Sequence, residues 1–422
     1  MITTWSGRDL VRFYEEHMLP DKTKKKTMGM VFTPLSLVDT ILDHFPSSIW
    51  SDPDNVFLDP SAGMGGFLLR IYERLMKGLS EKIPSTRRRR EHIIQNMLVA
   101  AELCPENVRM LRRVFGPRLL VVEGDSLRMD LVLHKKRKYT AVVGNPPFED
   151  AGKSLWPAFV TRSLTEWIAP GGYLGMVLPP GWRKPSDEKS RTAGIWNLMT
   201  RKNRCVWIEM FGTARAREVF GGVSIQFDAV VIQAVPSAKN DRTVVEPGMD
   251  RVALRGMPFL PSGHAREWNR YFKRGSGKGK EHKNHIVMYN GSLYSVRDWV
   301  KVRPHRTLEY RYPVVKAVRK GGELVLAYAP TRHREGGFGV PKVIFNYFGA
   351  WNTPVLDADG KYGMTEGAFA LPISSVEEGK AILRFFHEDM LRIFQEDMTW
   401  GTSTQTCFWK LFRYLPRRFY AK

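Results

Sequence analysis

The tetrapeptide Asn145-Pro146-Pro147-Phe148 contains residue types that suggest chemistry, and it directly follows the apolar run 139–144. The prolines donate no backbone hydrogen bond and restrict the residue before them to an extended conformation, so the Asn145 amide is held rigidly beyond a strand. A carboxamide oxygen, a free carbonyl and an aromatic ring suit a planar heterocycle with an exocyclic amino group. Taken alone, the tetrapeptide is equally consistent with an ordinary strand end and a Pro-Pro stop.

A glycine-rich turn provides a second candidate site, with the sequence Asp59-Pro60-Ser61-Ala62-Gly63-Met64-Gly65. It lies between an apolar run and a helical pattern, which is the order of a nucleotide-binding βα unit. The glycines allow positive φ and a close approach of a ligand to the backbone. The carboxylate of Asp59 would lie at the carboxyl end of a strand, where ligands bind in open α/β sheets. A plain βα corner is the alternative interpretation of the glycines alone.

Two further strand ends carry a carboxylate. Glu102 ends the apolar run 97–103, and an acid at that place can bind ribose hydroxyls. Asp125 follows the apolar run 119–123. The distance from the glycines to Glu102 exceeds the usual ~20 residues, which we attribute to a mobile basic insertion at 80–90.

Upstream of these strands, Thr33 and Pro34 predict the start of a helix, with Thr33 as the N-cap and Pro34 as the first helical residue. The positive end of this helix could receive a carboxylate. The predicted buried stripe consists of Leu35, Val38, Ile41 and Leu42.

The pattern of apolar runs predicts an α/β fold with a doubly wound, mostly parallel seven-stranded sheet. The predicted strands lie at 56–58, 97–103, 119–123, 139–144, 171–179, 204–210 and 227–232. Near Pro236 the apolar runs become shorter, and glycine, aromatic and basic residues become more frequent. We therefore expect a second, mixed α+β domain at 237–422.

The charge balance points to a polyanionic partner, because 65 Lys and Arg face 43 Asp and Glu, for a net charge of +22. Nucleic acid is the expected partner; a basic run at 21–26 follows a helical pattern at 5–17. The absence of a long apolar run predicts a soluble intracellular protein without membrane association. The three cysteines form no CxxC pair, and His282 and His285 lack further ligands, so we expect no metal.

Taken in order, these segments resemble the γ-class, TaqI-type N6-adenine DNA methyltransferases, which use S-adenosylmethionine. That class has a Thr-Pro helix, Asp-Pro-x-x-Gly-x-Gly, an acid after the second and third strands, Asn-Pro-Pro-(Tyr/Phe) and a target-recognition domain. The resemblance covers about residues 30–233, and the ordered set is far more specific than any one motif. It implies a Rossmann-like, S-adenosylmethionine-binding catalytic domain at 1–236 and a DNA target-recognition domain at 237–422.

The resemblance also implies roles for individual residues. The methionine part of the cofactor would contact Asp59, Pro60, Gly63 and Gly65, and the methionine carboxylate would contact Thr33. The ribose would contact Glu102, and the adenine would contact Asp125. In this family, the phenylalanine of a Val-Phe-Pro motif stacks on the extruded base. The matching residue in this sequence is Phe220, which is followed by Gly221 instead of proline.

The implied activity is transfer of a methyl group to N6 of an adenine flipped out of double-stranded DNA. The N6 lone pair is delocalised into the ring, so the amino group becomes reactive when both N–H protons are bound by acceptors. The Asn145 side-chain oxygen and the Pro146 carbonyl can accept these hydrogen bonds, Pro147 keeps the loop rigid, and Phe148 stacks on the base.

Other substrates remain open at this point: cytosine N4 in DNA, guanine N2 in RNA, and a protein glutamine side chain. A different class is a non-catalytic DNA-binding subunit that retains the fold. The target sequence and the oligomeric state, for which a monomer is plausible, also remain open, as does whether the protein serves a restriction-modification system.

Overall fold

The chain divides into two compact units in a computed structural model. One unit comprises Met1–Trp182 and Ser186–Arg255, and the other Arg183–Pro185 and Gly256–Lys422. The structure describes residues 32–132, 138–150, 152–184, 190, 192–221, 225–248, 250–275, 293–347, 353–400, 415 and 418–421. The predicted helix at 5–17, the basic run at 21–26 and both His282 and His285 lie outside the described residues.

The first unit contains a large sheet whose strands alternate with helices. The strands of this sheet are β1 (Phe57–Asp59), β2 (Leu98–Glu102), β3 (Leu120–Glu123), β4 (Tyr139–Gly144), β7 (Ile168–Leu178), β8 (Arg204–Phe211), β9 (Phe227–Gln233), β10 (Thr243–Glu246) and β11 (Asp250–Val252). Two short strands, β5 (Glu149–Asp150) and β6 (Lys153–Ser154), form a separate hairpin. Within the described residues the order of the nine strands is β11-β10-β8-β9-β7-β4-β1-β2-β3. The pairs β1/β2, β2/β3, β1/β4, β4/β7 and β8/β10 are parallel.

The predicted doubly wound, mostly parallel sheet is confirmed, and all seven expected strands are present. Two more strands, β10 and β11, extend its edge beyond β8. The first unit therefore continues past the boundary expected at 236, to Arg255. The two added strands are only four and three residues long, too short for their apolar residues to be distinguished from loop residues in the sequence.

The strand order determines where a ligand can bind. After β3 the chain returns to the other side of β1, so β1 lies between β2 and β4. This reversal is a topological switch point, and the carboxyl ends of the flanking strands border a crevice there. Asp59, Glu102 and Asn145 thus follow or end three adjacent parallel strands.

The helices of the first unit are α1 (Leu35–Asp43), α2 (Gly66–Gly78), α3 (Thr86–His92), α4 (Pro105–Phe115), α5 (Trp156–Arg162), α6 (Ile195–Asn197) and α7 (Thr213–Val219). Short 3₁₀ turns lie at Ser47–Trp50, Pro180–Trp182 and Leu254–Gly256, and π turns at Ile93–Met97, Ser163–Trp167 and Leu198–Lys202. The π turns end α3, α5 and α6 and lead into β2, β7 and β8 directly or after one residue. The stripes of α1 and α2 belong to the main apolar cluster of this unit.

Two local expectations were wrong. Helix α1 begins at Leu35, and the N-cap is Pro34, whose carbonyl accepts from the amides of Leu37 and Val38. Leu37 is buried with Val38, Ile41 and Leu42, whereas Leu35 is only partly buried and packs at the side of the same apolar cluster. The basic insertion at 80–90 overlaps the ordered helix α3, in which the buried Arg89 guanidinium donates a 2.8 Å hydrogen bond to the Ile83 carbonyl.

The second unit is of mixed α and β type, as expected. Its elements are α8 (Ala265–Gly275), β12 (Tyr312–Val318), β13 (Leu324–Ala329), β14 (Lys342–Asn346), β15 (Val355–Asp357), β16 (Gly363–Met364), β17 (Ala368–Pro372), α9 (Val376–Phe385) and α10 (Glu388–Asp397), with 3₁₀ turns at Lys320–Gly322 and Arg334–Gly336. Two three-stranded sheets run β13-β12-β16 and β15-β14-β17 among the described residues. No helix in the described ranges of either unit is long and apolar enough to cross a bilayer.

Candidate active site

Asp59 lies at the end of β1 and is only 1% exposed. Its Oδ1 accepts a hydrogen bond from the Ser61 amide at 3.1 Å. Gly144, the last residue of β4, lies against the same carboxylate: a Cβ at position 144 would stand 2.8 Å from Oδ1. The carboxylate of β1 and the residue that precedes Asn145 are therefore in contact.

The environment of Asp59 favours its neutral form. Burial raises the pKa of Asp59 from 3.8 to about 8; the Ser61 amide lowers this pKa, and the nearby charge of Glu102 raises it further. The Ser61 hydroxyl oxygen is also buried and has no hydrogen-bond partner among the described residues. A buried carboxyl beside a second carboxylate and an unsatisfied hydroxyl suits a ligand that brings positive charge and hydrogen-bond donors.

Glu102 holds the glycine-rich turn in place. Its Oε2 accepts from the Gly63 amide at 2.7 Å, and its Oε1 accepts from the Cys104 amide at 2.8 Å. Gly63 has φ +53°, and a Cβ there would meet nothing within 4 Å, so the space above the turn is open. The Ala62 amide donates to the Ala101 carbonyl at 3.0 Å, which joins the turn to β2.

Asp125 follows β3 and is partly exposed. Its Oδ1 accepts from the Leu127 amide at 2.9 Å, and its Oδ2 lies 3.1 Å from Nε of Arg128. The preceding Gly124 amide donates 2.9 Å to the Glu102 carbonyl, so the ends of β2 and β3 are joined. The three predicted cofactor carboxylates thus lie on adjacent strands.

Arg162 of α5 was not recognised in the sequence. Its guanidinium donates to the backbone carbonyls of Ser126 at 2.9 Å and Met129 at 3.1 Å. The buried Ser126 hydroxyl in turn donates to the Pro60 carbonyl. Arg162 therefore connects the helix after the Asn-Pro-Pro-Phe segment to both cofactor turns. Only the tertiary structure shows this, because an arginine on a helix has no distinguishing sequence pattern.

The tetrapeptide presents two acceptors, the Asn145 carboxamide oxygen and the Pro146 carbonyl oxygen. Among the described residues, no hydrogen bond reaches the Asn145 carboxamide or the Pro146 carbonyl. Asn145 is half-buried, Pro146 buried and Pro147 exposed. The half-buried Phe148 packs against the main apolar cluster, and its carbonyl accepts from the Leu155 amide at 3.0 Å.

Phe220 follows the last residue of α7. Its half-buried ring packs against the same apolar cluster as Phe148, with its centroid 4.9 Å from that of Phe227. Helix α7 is held by Arg215, which pairs with the buried carboxylate of Glu209 and lies 4.7 Å from the Phe211 ring centroid. Thr33, the remaining predicted cofactor residue, is buried just before α1.

Comparisons with known proteins find similarity to DNA methylases and to restriction-modification enzymes. Residues 7–160 match the family model described as N-6 DNA Methylase. This segment is similar to the N-6 DNA methylases. It contains the glycine-rich turn, Glu102, Asp125 and the whole Asn-Pro-Pro-Phe tetrapeptide of the predicted site.

Among curated proteins, an uncharacterized adenine-specific methylase of Mycoplasma pneumoniae is 38% identical over 86 residues. The aligned part is 20% of this chain and 20% of the Mycoplasma protein.

Among solved structures, the Type IIL restriction-modification enzyme MmeI in complex with DNA is similar, with a TM-score of 0.50 and 11% identity over 94% of this chain and 70% of that chain. A modification subunit of a putative type I restriction enzyme from Vibrio vulnificus has a TM-score of 0.42 and 17% identity, over 60% and 57% of the two chains. The match to MmeI supports the fold.

Proposed function

We propose that the protein transfers the methyl group of S-adenosylmethionine to the N6 amino group of a flipped-out adenine in double-stranded DNA. The observation that carries the proposal is a pair of acceptors, the Asn145 carboxamide oxygen and the Pro146 carbonyl, to which no described residue donates a hydrogen bond. They directly follow Gly144, which lies against the buried Asp59. An adenine amino group has two N–H donors, which matches two acceptors on consecutive residues. The description of the Mycoplasma relative as an adenine-specific methylase also favours adenine.

The residues of the glycine-rich turn fit the cofactor. When bound, S-adenosylmethionine supplies an electrophilic methyl group and carries positive charge. Glu102 supplies negative charge at the end of β2, and a positive charge bound beside the Asp59 carboxyl at the end of β1 would favour its ionised form. The unsatisfied Ser61 hydroxyl supplies a further hydrogen-bonding group. Thr33, Asp125 and the glycines would complete this site as in the methyltransferases that the chain resembles.

The role of Asn145 and Pro146 is to change the electronic state of the amino group. Accepting both N–H protons in hydrogen bonds allows the nitrogen to become pyramidal, so its lone pair is less delocalised into the ring. Pro147 keeps these acceptors preorganised because its φ is restricted, and preorganised acceptors reduce the reorganisation that the reaction requires. Phe148 and Phe220 would hold the extruded ring, whose removal from the duplex costs a few kcal/mol.

The direct test is to incubate the purified protein with duplex DNA and methyl-labelled S-adenosylmethionine, and to identify the modified nucleoside by mass spectrometry. We expect N6-methyladenine. We expect Asn145→Ala to lose at least ~100-fold in turnover, the size typical for removal of one preorganised hydrogen-bonding group. The variant should retain cofactor and DNA binding, because the Asn145 carboxamide forms no hydrogen bond within the described protein.

Other outcomes would identify other functions. N4-methylcytosine would change the base, and methylation of RNA but not DNA would change the substrate class. DNA binding without methylation of either would support a non-catalytic subunit. Unchanged turnover by Asn145→Ala would remove Asn145 from the mechanism.

A further inference from the structure

The second unit carries two surface segments that the structure holds together, 293–311 and 330–335. Arg303 exchanges two backbone hydrogen bonds of 2.8 Å with Tyr328 of β13. The Tyr294 hydroxyl donates to the Thr331 carbonyl at 3.2 Å and accepts from the His333 amide at 2.8 Å. The first segment contributes Tyr294 and Val302 to an apolar cluster that also contains Ala329, the residue directly before the second segment. The two segments therefore form one continuous surface within this unit.

Arginines of these segments lie over aromatic rings. The Arg303 guanidinium lies 5.6 Å from the ring centroid of Trp299 and 5.4 Å from that of Tyr310. Arg311 and Arg332 each lie 5.1 Å from the ring centroid of Tyr312. Such contacts restrict the guanidinium while its edge N–H groups remain available to an acceptor.

Both segments carry exposed arginines. We name the exposed residues Arg303, Arg306, Arg311, Arg332 and Arg334 the arginine surface. Within the described residues, none of the five forms an ion pair with a carboxylate. By contrast, Arg319 of the same unit pairs with Glu323 at 3.3 Å, and Arg392 pairs with Glu396 at 3.4 Å. Arg311 and Arg332 both lie over the Tyr312 ring, and an anion bound near these two like charges would lower their mutual repulsion.

Exposed apolar side chains accompany the charges. Trp299 is 59% exposed, and Leu308, two residues after Arg306, is 98% exposed. A free phosphate offers such side chains little contact. A nucleic acid combines a row of phosphates with the apolar faces of sugars and bases.

We propose that the arginine surface binds the phosphate backbone of double-stranded DNA, with Trp299 and Leu308 in contact with the sugars or base edges beside it. This proposal rests on the proposed function, since it assigns to the substrate DNA a surface in the second unit. Each phosphate contact releases counterions, so binding through this surface depends steeply on salt.

The test uses the full chain and a fluorescently labelled duplex, with affinity measured by anisotropy at several salt concentrations. The double variant Arg311→Gln/Arg332→Gln should weaken binding about tenfold or more and reduce the salt slope by about two, one for each phosphate that no longer has an arginine beside it. The matched control is Arg319→Gln/Arg392→Gln, which removes the same charge from the same unit at arginines that already have carboxylate partners. We expect the control to retain the native affinity and salt slope.

A second variant tests the apolar contact separately. Leu308→Ser changes no charge and affects a side chain that is almost fully exposed, so it should fold normally. It should weaken duplex binding at least threefold without changing the salt slope. Native affinity and salt slope in the arginine double variant would overturn the proposal, as would tighter binding of single-stranded RNA or of phosphatidylserine vesicles than of duplex DNA.

The two proposals fail in different ways. If no nucleotide is methylated but the double variant has a reduced affinity for DNA, the arginine surface stands and the proposed function fails. If adenine is methylated but the double variant binds DNA as the native protein does, the surface is wrong and the proposed function stands.

Discussion

Gly144 and Asp59 are in direct contact where β4 and β1 end, with a Cβ at position 144 placed 2.8 Å from Oδ1 of Asp59. Gly144 immediately precedes Asn145. The contact therefore links the carboxylate proposed to bind the cofactor to the amide proposed to bind the target amino group. A side chain at position 144 would affect both.

We expect Gly144→Ala to displace the Asp59 carboxylate, because the new methyl group would also lie about 3.3 Å from the Ser61 hydroxyl. Overpacking of this kind costs about 1–3 kcal/mol. Affinity for S-adenosylmethionine, measured by calorimetry, and methyl transfer should both fall. Gly256→Ala is the control, because a Cβ there meets nothing within 4 Å. Equal behaviour of the two variants would show that the close contact has no role.

The raised pKa of Asp59 predicts a pH dependence. The folded protein keeps a proton on this carboxyl up to about pH 8, whereas the unfolded chain releases it near pH 3.8. The folded state therefore binds more protons over this range, so the contribution of Asp59 to stability falls as pH rises from about 4 to about 8. Asp59→Asn has no proton to lose. The melting temperature of Asp59→Asn minus that of the native protein should therefore increase from pH 5 to pH 8.5. A difference that stays constant with pH would contradict this.

The same carboxyl should make cofactor binding depend on pH. Binding of a positive charge favours ionised Asp59, so the affinity of the native protein for S-adenosylmethionine should increase as pH rises toward 8. Asp59→Asn should bind more weakly and without this increase. Calorimetric titration at several pH values measures both effects.

Phe148→Ala should reduce base extrusion, because base–aromatic stacking contributes about 1–3 kcal/mol per base. The fluorescence increase of 2-aminopurine at the target position should be smaller than with the native protein. Phe148→Tyr keeps an aromatic ring and should give most of the fluorescence increase seen with the native protein. Phe220→Ala gives the independent comparison, and a full fluorescence response in both alanine variants would exclude both rings from stacking.

Arg162 is expected to act by positioning the Asp125 turn, since its donors reach the carbonyls of Ser126 and Met129. Arg162→Gln should raise KM for S-adenosylmethionine several-fold while kcat changes little. Arg162→Lys retains the charge but cannot reach both carbonyls in the same way, so its effect should be intermediate. Arg113→Gln, on the exposed face of α4, is the control for loss of one charge. A fall in kcat alone would argue against a positioning role.

The sequence by itself determined the fold class, the seven main strands and the order of the motifs. These follow from local features: buried parallel strands are short apolar runs, and glycine turns and Pro-Pro segments are short-range signals. For the same reason it determined that Asp59, Glu102, Asp125 and Asn145 follow or end strands, and hence that they share an edge of the sheet.

The tertiary structure decided what required contacts between distant residues. Glu102 binds the Gly63 amide, Gly144 closes against Asp59, and Arg162 holds the Asp125 turn, over separations that no local pattern reports. It also placed β10 and β11 in the first unit, since such short strands are stable only through pairing, here of β10 with β8 and of β11 with β10. The arginine surface also depends on contacts between residues distant in the sequence, because Arg332 reaches Tyr312 only after β12 and β13 have paired.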